Sequence, residues 1–217
     1  MRHRGSLAYL TALVFTIGLS QTAAGQLGSR PAEEWIKTLE GPARLANLKV
    51  DETLAKLRLK PGDVVADIGA GSGIFEVPLA KAVSPGGKVY AVDIVQALLD
   101  NINRRTGEQR VTNVQTVLGK FADPSLPARD VDLGFINDVL HHIEDRSTYL
   151  KNLARDVKPS GRIAVIEFYP DRGGHRNQPE MQVTKEQAAA WMAAAGFKPA
   201  EEFDLFSDKW FVVYLRR

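Results

Sequence analysis

Residues 64–73, "VVADIGAGSG", constrain the fold more than any other part of the sequence. The apolar residues at the start of this stretch are typical of a buried strand, and "IFEVPLAKAV" after it is typical of a helix. Glycine at every second position removes Cβ atoms from one side of the turn, so another group can approach the backbone closely. A strand, a glycine turn and a helix N-terminus together form the usual platform for a nucleotide-like ligand.

Four further apolar strands follow this turn, and helix-like segments of about ten residues separate them. The chain then ends in "EEFDLFSDKWFVVYLRR", two strands that we expect to be joined by a turn at Ser207, Asp208 and Lys209. Alternating strands and helices predict a parallel sheet with helices on both faces, whereas a short connection predicts an antiparallel pair. We therefore predict an α/β fold, a Rossmann-like three-layer sandwich with a mostly parallel sheet and a C-terminal antiparallel hairpin.

Residues 1–25 differ from the rest of the chain. The basic head "MRHRGS", the apolar stretch "LAYLTALVFTIGL" and the small residues that follow match a secretory signal, which predicts export with cleavage after Ala24 or Gly25. The apolar stretch is shorter than the roughly 20 residues that a membrane span needs. The alternatives are an uncleaved anchor that tethers the chain to a membrane, and a buried N-terminal helix in a cytoplasmic protein.

The charge of the remaining chain argues against a nucleic-acid partner. Arg2 and Arg4 are two of the 28 Lys and Arg residues, so residues 26–217 carry 26 basic and 26 acidic side chains. Residues 26–217 therefore lack the excess of basic side chains that proteins use to bind the phosphate backbone of nucleic acids. The sequence has no cysteine, which excludes disulfides, thiolate metal sites and cysteine nucleophiles.

The acids near the glycine turn indicate which nucleotide would bind. Dinucleotide enzymes carry the pattern G-x-G-x-x-G, but Ile74 occupies the position of its third glycine. Asp67 would repel a pyrophosphate and suits a ligand with a cationic amino group. Asp93, at the end of the second strand, can accept hydrogen bonds from both hydroxyls of a ribose. A nicotinamide-dependent oxidoreductase is therefore the less favoured alternative.

These motifs, together with "VDLGFINDVLHHIED" and "VKPSGRIAVIEFYP", resemble the class I S-adenosylmethionine-dependent methyltransferases over about residues 32–217. The resemblance is to the small-molecule group that includes ubiquinone and menaquinone C-methyltransferases. It implies a seven-stranded sheet, S-adenosyl-L-methionine as the cofactor and a small-molecule methyl acceptor. The implied division is a signal peptide or anchor at 1–25, a helical lid at 26–50 and a methyltransferase domain at 51–217. A noncatalytic protein that binds S-adenosylmethionine or S-adenosylhomocysteine is the alternative.

The resemblance also implies roles for individual residues. Asp93 would hold the ribose and Ile94 would lie against the adenine, whose edge Phe121 and Asp123 would border. Asn137 would contact the methionine portion near the methyl group. A helix N-cap is the alternative for Asp93, and a turn acid is the alternative for Asp123. The predicted cofactor-binding residues are Asp67, Gly69, Ala70, Gly71, Ser72, Gly73, Asp93, Ile94, Phe121, Asp123 and Asn137.

Methyl transfer from a sulfonium is an in-line displacement that needs a base only when the acceptor must lose a proton. His141 and His142 are the predicted catalytic residues, because an imidazole titrates near neutrality. Trp35, on the lid, and Tyr169 and His175, in the loop after the fifth strand, are predicted to contact substrate. A packing or surface role is the alternative for each residue. We predict no metal site, since neighbouring histidines cannot readily share one ion.

The predicted export conflicts with the cytoplasmic synthesis of S-adenosylmethionine. A leader that is retained as a tether would resolve this conflict, as would a supply of cofactor outside the cytoplasm or a later translation start. The acceptor atom and the oligomeric state do not follow from the sequence.

Overall fold

The computed structural model describes residues 31–217. The predicted leader, residues 1–25, therefore lies outside the described residues. Among residues 31–217, no helix combines the length and the apolar character needed to cross a bilayer.

Three short helices precede the sheet: α1 (Ala32–Leu39), α2 (Pro42–Leu48) and α3 (Val50–Leu57). Glu33 and Glu34 lie in the first turn of α1, and Lys37 lies in its last turn. Acids at the N-terminus and a base at the C-terminus interact favourably with the helix dipole and so stabilise the helix. Lys49, with a left-handed φ of 44°, separates α2 from α3. The first two helices fall in the segment predicted to be helical, and their role as a lid stays a prediction.

One seven-stranded sheet follows, with the spatial order β3-β2-β1-β4-β5-β7-β6. All neighbouring strands up to β5 are parallel, while β7 is antiparallel to both β5 and β6. This arrangement confirms the predicted mostly parallel sheet with a terminal hairpin. The strands are β1 (Val64–Ile68), β2 (Lys88–Asp93), β3 (Val114–Leu118), β4 (Val131–Asn137), β5 (Val157–Phe168), β6 (Phe197–Phe203) and β7 (Lys209–Arg216).

Helices cover both faces of the sheet, as the predicted three-layer sandwich requires. The longer helices are α4 (Glu76–Ala82), α5 (Gln96–Glu108), α6 (Arg146–Asp156) and α7 (Lys185–Ala194), and short 3-10 turns occupy Leu140–His142 and Pro179–Met181. Alternate residues of each strand enter different cores: Tyr90 and Val92 pack with α6 and α7, whereas Val89 packs with α3 and α4. Period-two alternation in buried strands produces these two cores.

The prediction placed the hairpin turn at Ser207, Asp208 and Lys209, but β6 ends at Phe203 and the connection is residues 204–208. Lys209 does not belong to the turn but is the first residue of β7, and its side chain is buried. A lysine is rarely buried without a partner, and the partner in this case is a carboxylate from another part of the chain, described below.

Candidate cofactor site

The glycine turn bends away from β1 in a backbone conformation that favours glycine. Gly69 and Gly71 have φ values of 72° and 58°, in the left-handed region. A Cβ atom at Gly69 would lie 2.4 Å from a methyl carbon of Val139, and one at Gly71 would lie 3.2 Å from a methyl carbon of Leu39. The N–H groups of Gly69 and Ala70 donate to the carbonyl of Val92. The turn therefore lies against the segment that follows β4 on one side and against α1 on the other.

Asp93 fixes the turn at the end of β2. Its Oδ2 accepts a hydrogen bond from the N–H of Gly71, and its Oδ1 accepts one from the N–H of Val95, both at 2.9 Å. Helix α5 begins after Val95, so Asp93 is not its N-cap. Burial raises the pKa of Asp93, and these backbone donors oppose the rise. Each carboxylate oxygen keeps a lone pair for a ligand hydroxyl.

Most of the predicted cofactor residues line one cavity above the carboxyl ends of β1, β2 and β4. Those that line it are Asp67, Gly69, Ala70, Gly71, Ser72, Asp93, Ile94, Phe121 and Asn137. Gly73 lies against Ile102 of α5 and is not part of the lining. Asp123 also lies outside the lining and accepts a hydrogen bond from the N–H of Ser125 at 2.6 Å, as in a turn. A ligand contact for Asp123 stays a prediction.

Asp67, the acid before the glycines, is one of a pair of buried carboxyl groups. Its side chain lines the cavity and hydrogen-bonds to the side chain of Glu76, which is fully buried in the first turn of α4. Burial raises the pKa of Asp67 to about 7, and the nearby charge of Asp93 adds to the rise, although the hydrogen bond with Glu76 lowers the value. Glu76 could not be identified from the sequence, since an acid in the first turn of a helix is common.

A second charged group lines the same cavity beside Asn137. Asp138 has a left-handed φ of 55°, and its Oδ2 lies 3.2 Å from Nη1 of Arg44 and 2.8 Å from Nζ of Lys209. Arg44 and Asp138 line the cavity, and Lys209 lies behind them with 2% of its surface exposed. This group could not be identified from the sequence, because Arg44 and Lys209 are 94 and 71 positions away from Asp138.

The two predicted catalytic histidines occupy different surroundings. His141 is buried, and its Nδ1 lies 2.8 Å from both carboxylate oxygens of Glu167. Glu167 also accepts hydrogen bonds from the N–H groups of His141 and Phe168. A carboxylate can only accept, so Nδ1 of His141 carries a proton and donates a hydrogen bond to Glu167.

His142 lines the cavity, whereas His141 does not. Burial lowers the pKa of His142 to about 3, and the nearby His141, His175 and two arginines lower it further. His142 is therefore neutral at physiological pH, with one N–H donor and one lone pair. The two imidazole centroids are 4.1 Å apart.

The three predicted substrate residues lie in separate places. Trp35 of α1 lines the cavity. His175 does not, but its ring centroid lies 4.4 Å from that of His141 and its Nδ1 lies 2.7 Å from Oε1 of Gln178. Tyr169 packs at the edge of the core that contains α6 and α7, with the guanidinium of Arg172 4.2 Å from its ring centroid. Substrate contacts for Tyr169 and His175 stay predictions.

Comparison with known proteins supports the interpretation of this geometry. A family model described as a methyltransferase domain matches residues 66–165. A demethylmenaquinone methyltransferase from a Geobacillus species is 27% identical over 117 residues, which are 54% of this chain and 50% of that protein. The chain spans half or less of the length of the first curated relatives that it matches.

Solved structures share the whole architecture. A SAM dependent methyltransferase from Aquifex aeolicus superimposes with a TM-score of 0.77 at 24% identity, covering 85% of this chain and 98% of that chain. Geranyl diphosphate C-methyltransferase from Streptomyces coelicolor, solved with S-adenosyl-L-homocysteine, has a TM-score of 0.67 at 16% identity over 87% and 86% of the two chains. These two likenesses show the fold, and the matched domain contains the glycine turn and Asp93. Residues 66–165 are thus similar to a methyltransferase domain, and residues 31–217 share their fold with a SAM dependent methyltransferase.

Proposed function

We propose that this chain transfers a methyl group from S-adenosylmethionine to a small-molecule acceptor by in-line displacement. The observation that carries the proposal is a single cavity lined by residues suited to both partners. The glycine turn and Asp93 line it together with Arg44, Asp138 and His142. A cofactor held by the first group would therefore share the cavity with an acceptor held by the second.

The residues that line the cavity fit S-adenosylmethionine. The turn at Gly69 and Gly71 leaves backbone open to the cavity, and the carboxylate of Asp93 is already oriented by two backbone N–H groups. Asp67 adds a second carboxyl group to the lining, and we propose that it faces the ammonium end of the cofactor. The bound cofactor supplies an electrophilic methyl group on a sulfonium centre.

The contribution of the protein to such a reaction is to position the acceptor and to exclude water. Trp35 and Leu39 of α1, with Arg44 and Leu48 of α2, line the cavity from the N-terminal side. Glu40, directly after α1, forms an ion pair with Arg105 of α5 that connects this segment to the domain. Correct placement of two reactants contributes up to about 7–11 kcal/mol to lowering a barrier. We propose that α1 and α2 act as a lid that provides this placement.

For an acceptor that must lose a proton, the two histidines offer different properties. His142 reaches the cavity, but a base with a pKa of about 3 accepts a proton poorly at neutral pH. We propose that His142 hydrogen-bonds to the acceptor. His141 does not line the cavity, and its Nδ1 is held by the carboxylate of Glu167. Its ring packs directly against that of His142.

The lining favours an acceptor with an apolar body and one polar end. Apolar side chains supply most of the surface of the whole cavity, and Arg44, Asp138 and His142 are among its polar lining residues. The relatives named demethylmenaquinone methyltransferases make a quinol the first acceptor to test. Phenols and other small nucleophiles complete the panel.

Calorimetric titration of the full chain with S-adenosylmethionine and S-adenosylhomocysteine tests the cofactor. We expect both to bind and Asp93→Asn to weaken binding about 10- to 100-fold, since a hydrogen bond to a charged acceptor contributes about 1.5–3 kcal/mol. Asp100→Asn, an exposed acid on α5, should leave the affinity unchanged. A methyl-release assay over the acceptor panel tests the reaction. Binding without turnover of any acceptor would favour the noncatalytic alternative, and no binding of either ligand would contradict the proposal.

A further inference from the structure

Glu76 lies in the wall behind the glycine turn with no ordinary partner for its charge. Its side chain is 0% exposed, and apart from the carboxyl group of Asp67 neither carboxyl oxygen has a hydrogen-bond partner among residues 31–217. Oε2 lies 3.4 Å from the position that a Cβ atom at Gly73 would occupy, so the carboxyl group sits beside the turn. A buried carboxylate without a partner costs several kcal/mol, which strongly disfavours its ionised form.

The group that Glu76 does contact is the carboxyl group of Asp67. Two carboxylates cannot hydrogen-bond to each other, so this contact requires a proton between them. Asp93 on the neighbouring strand adds negative charge on the side of Asp67. Arg105 of α5 faces Glu76, but its guanidinium is engaged in the ion pair with Glu40.

The two acids differ in their access to a ligand. Asp67 lines the cavity, whereas Glu76 is enclosed behind it. Burial raises the pKa of Asp67 to about 7 and that of Glu76 well above its usual range, and the repulsion from Asp67 adds to the rise at Glu76. A cation entering the cavity would therefore meet Asp67 and ionise it first, leaving the proton on Glu76.

We infer that Glu76 is a positioning residue that stays protonated and donates its O–H to the carboxylate of Asp67, orienting it toward the ammonium group of the cofactor. This inference rests on the proposed function. Its consequence is that cofactor binding removes a proton from Asp67. The affinity then rises as the pH rises through about 7 and becomes constant above it.

Two substitutions of Glu76 separate this role from a charged one. Glu76→Gln keeps a neutral donor of the same shape, so its affinity for S-adenosylhomocysteine should stay within about twofold of that of the unmodified chain. Glu76→Leu removes the donor, so binding should weaken about tenfold or more, and the midpoint of the pH profile should rise by about one unit. A side chain that only filled space would not move that midpoint.

The experiment is calorimetric titration of the full chain and both variants with S-adenosylhomocysteine between pH 5.5 and 8.5. Asp67→Asn, which cannot ionise, reports the titration of the ligand alone, and thermal unfolding of each variant shows that it is folded. If Glu76→Gln loses tenfold or more in affinity, Glu76 acts as a carboxylate and the inference is wrong. A flat pH profile that matches that of Asp67→Asn would also overturn it. A chain that binds no S-adenosylhomocysteine at any pH would instead refute the proposed function.

Discussion

Replacing Lys209 with methionine should destabilise the protein, because it leaves the buried carboxylate of Asp138 without its main counter-charge. The ammonium of Lys209 lies 2.8 Å from Oδ2 of Asp138, and Oδ1 has no donor among the described residues. Removing one partner of a buried ion pair costs about 3–5 kcal/mol. Arg44, 3.2 Å from the same oxygen, still offsets part of the charge, so we expect a loss of about 3 kcal/mol.

The loss should come from charge, since methionine keeps much of the lysine volume. The Lys209 ammonium lies 4.9 Å from the ring centroid of Phe168 and 5.3 Å from that of Phe206, and a thioether packs well against such rings. For a chain of this size, each kcal/mol corresponds to about 2–4 °C in Tm, so a fall of about 6–12 °C is expected. Lys198→Met, at an exposed position on β6, should change stability by less than about 0.5 kcal/mol.

A double-mutant cycle measured by urea unfolding tests the reasoning. Asp138→Asn should also destabilise the protein, because it leaves a buried ammonium without its carboxylate. The double variant should lose about 1–3 kcal/mol less than the sum of the two single variants. Additive losses, or a Lys209→Met variant as stable as the unmodified chain, would show that the pair does not carry the energy assigned to it.

Two further predictions concern the lid and His142. Glu40→Gln removes the ion pair with Arg105; a partly exposed pair contributes about 0.2–1 kcal/mol, so S-adenosylhomocysteine should dissociate up to about fivefold faster in a stopped-flow experiment. Glu33→Gln, on the exposed side of the same helix, should not change that rate, and equal rates for both variants would contradict a lid role. The pKa of His142, lowered to about 3 by burial, means that the unfolded chain binds a proton below about pH 6.5 that the folded chain does not, so stability falls on acidification. Between pH 6.5 and pH 5 this amounts to about 2 kcal/mol, and His142→Gln should flatten that part of the stability curve; unchanged curvature would contradict the assignment.

The fold and the cofactor side of the cavity could be predicted because local patterns determine them. Glycine spacing, strand alternation and an acid at a strand end are each visible within a few residues. The carboxyl ends of neighbouring parallel strands then bring Asp67 and Asp93 to one edge of the sheet without further information. Gly73 shows the limit of that reasoning, since its lack of a side chain makes room for Ile102.

The acceptor side could not be predicted, because its contacts join distant parts of the chain. Arg44 reaches Asp138 across 94 positions, and Lys209 reaches the same carboxylate across 71. In the sequence, Lys209 follows Ser207 and Asp208, and these three polar residues together are typical of a turn. Only the neighbouring strand order, with β7 beside β5 and β5 beside β4, places it behind Asp138. Glu167 reaches His141 from the adjacent strand in the same way.

Five buried carboxyl groups in and around the cavity differ in the partners that compensate them. Asp93 is held by two backbone N–H groups, Asp138 by a lysine and an arginine, and Glu167 by an imidazole and two backbone N–H groups. These partners all belong to the chain itself. Asp67 is paired with another acid, Glu76, so its charge depends on what enters the cavity. A cationic ligand would favour the ionised form of Asp67. A diphosphate would instead favour the protonated forms of Asp67 and Glu76, and neither residue would offer it a positive charge.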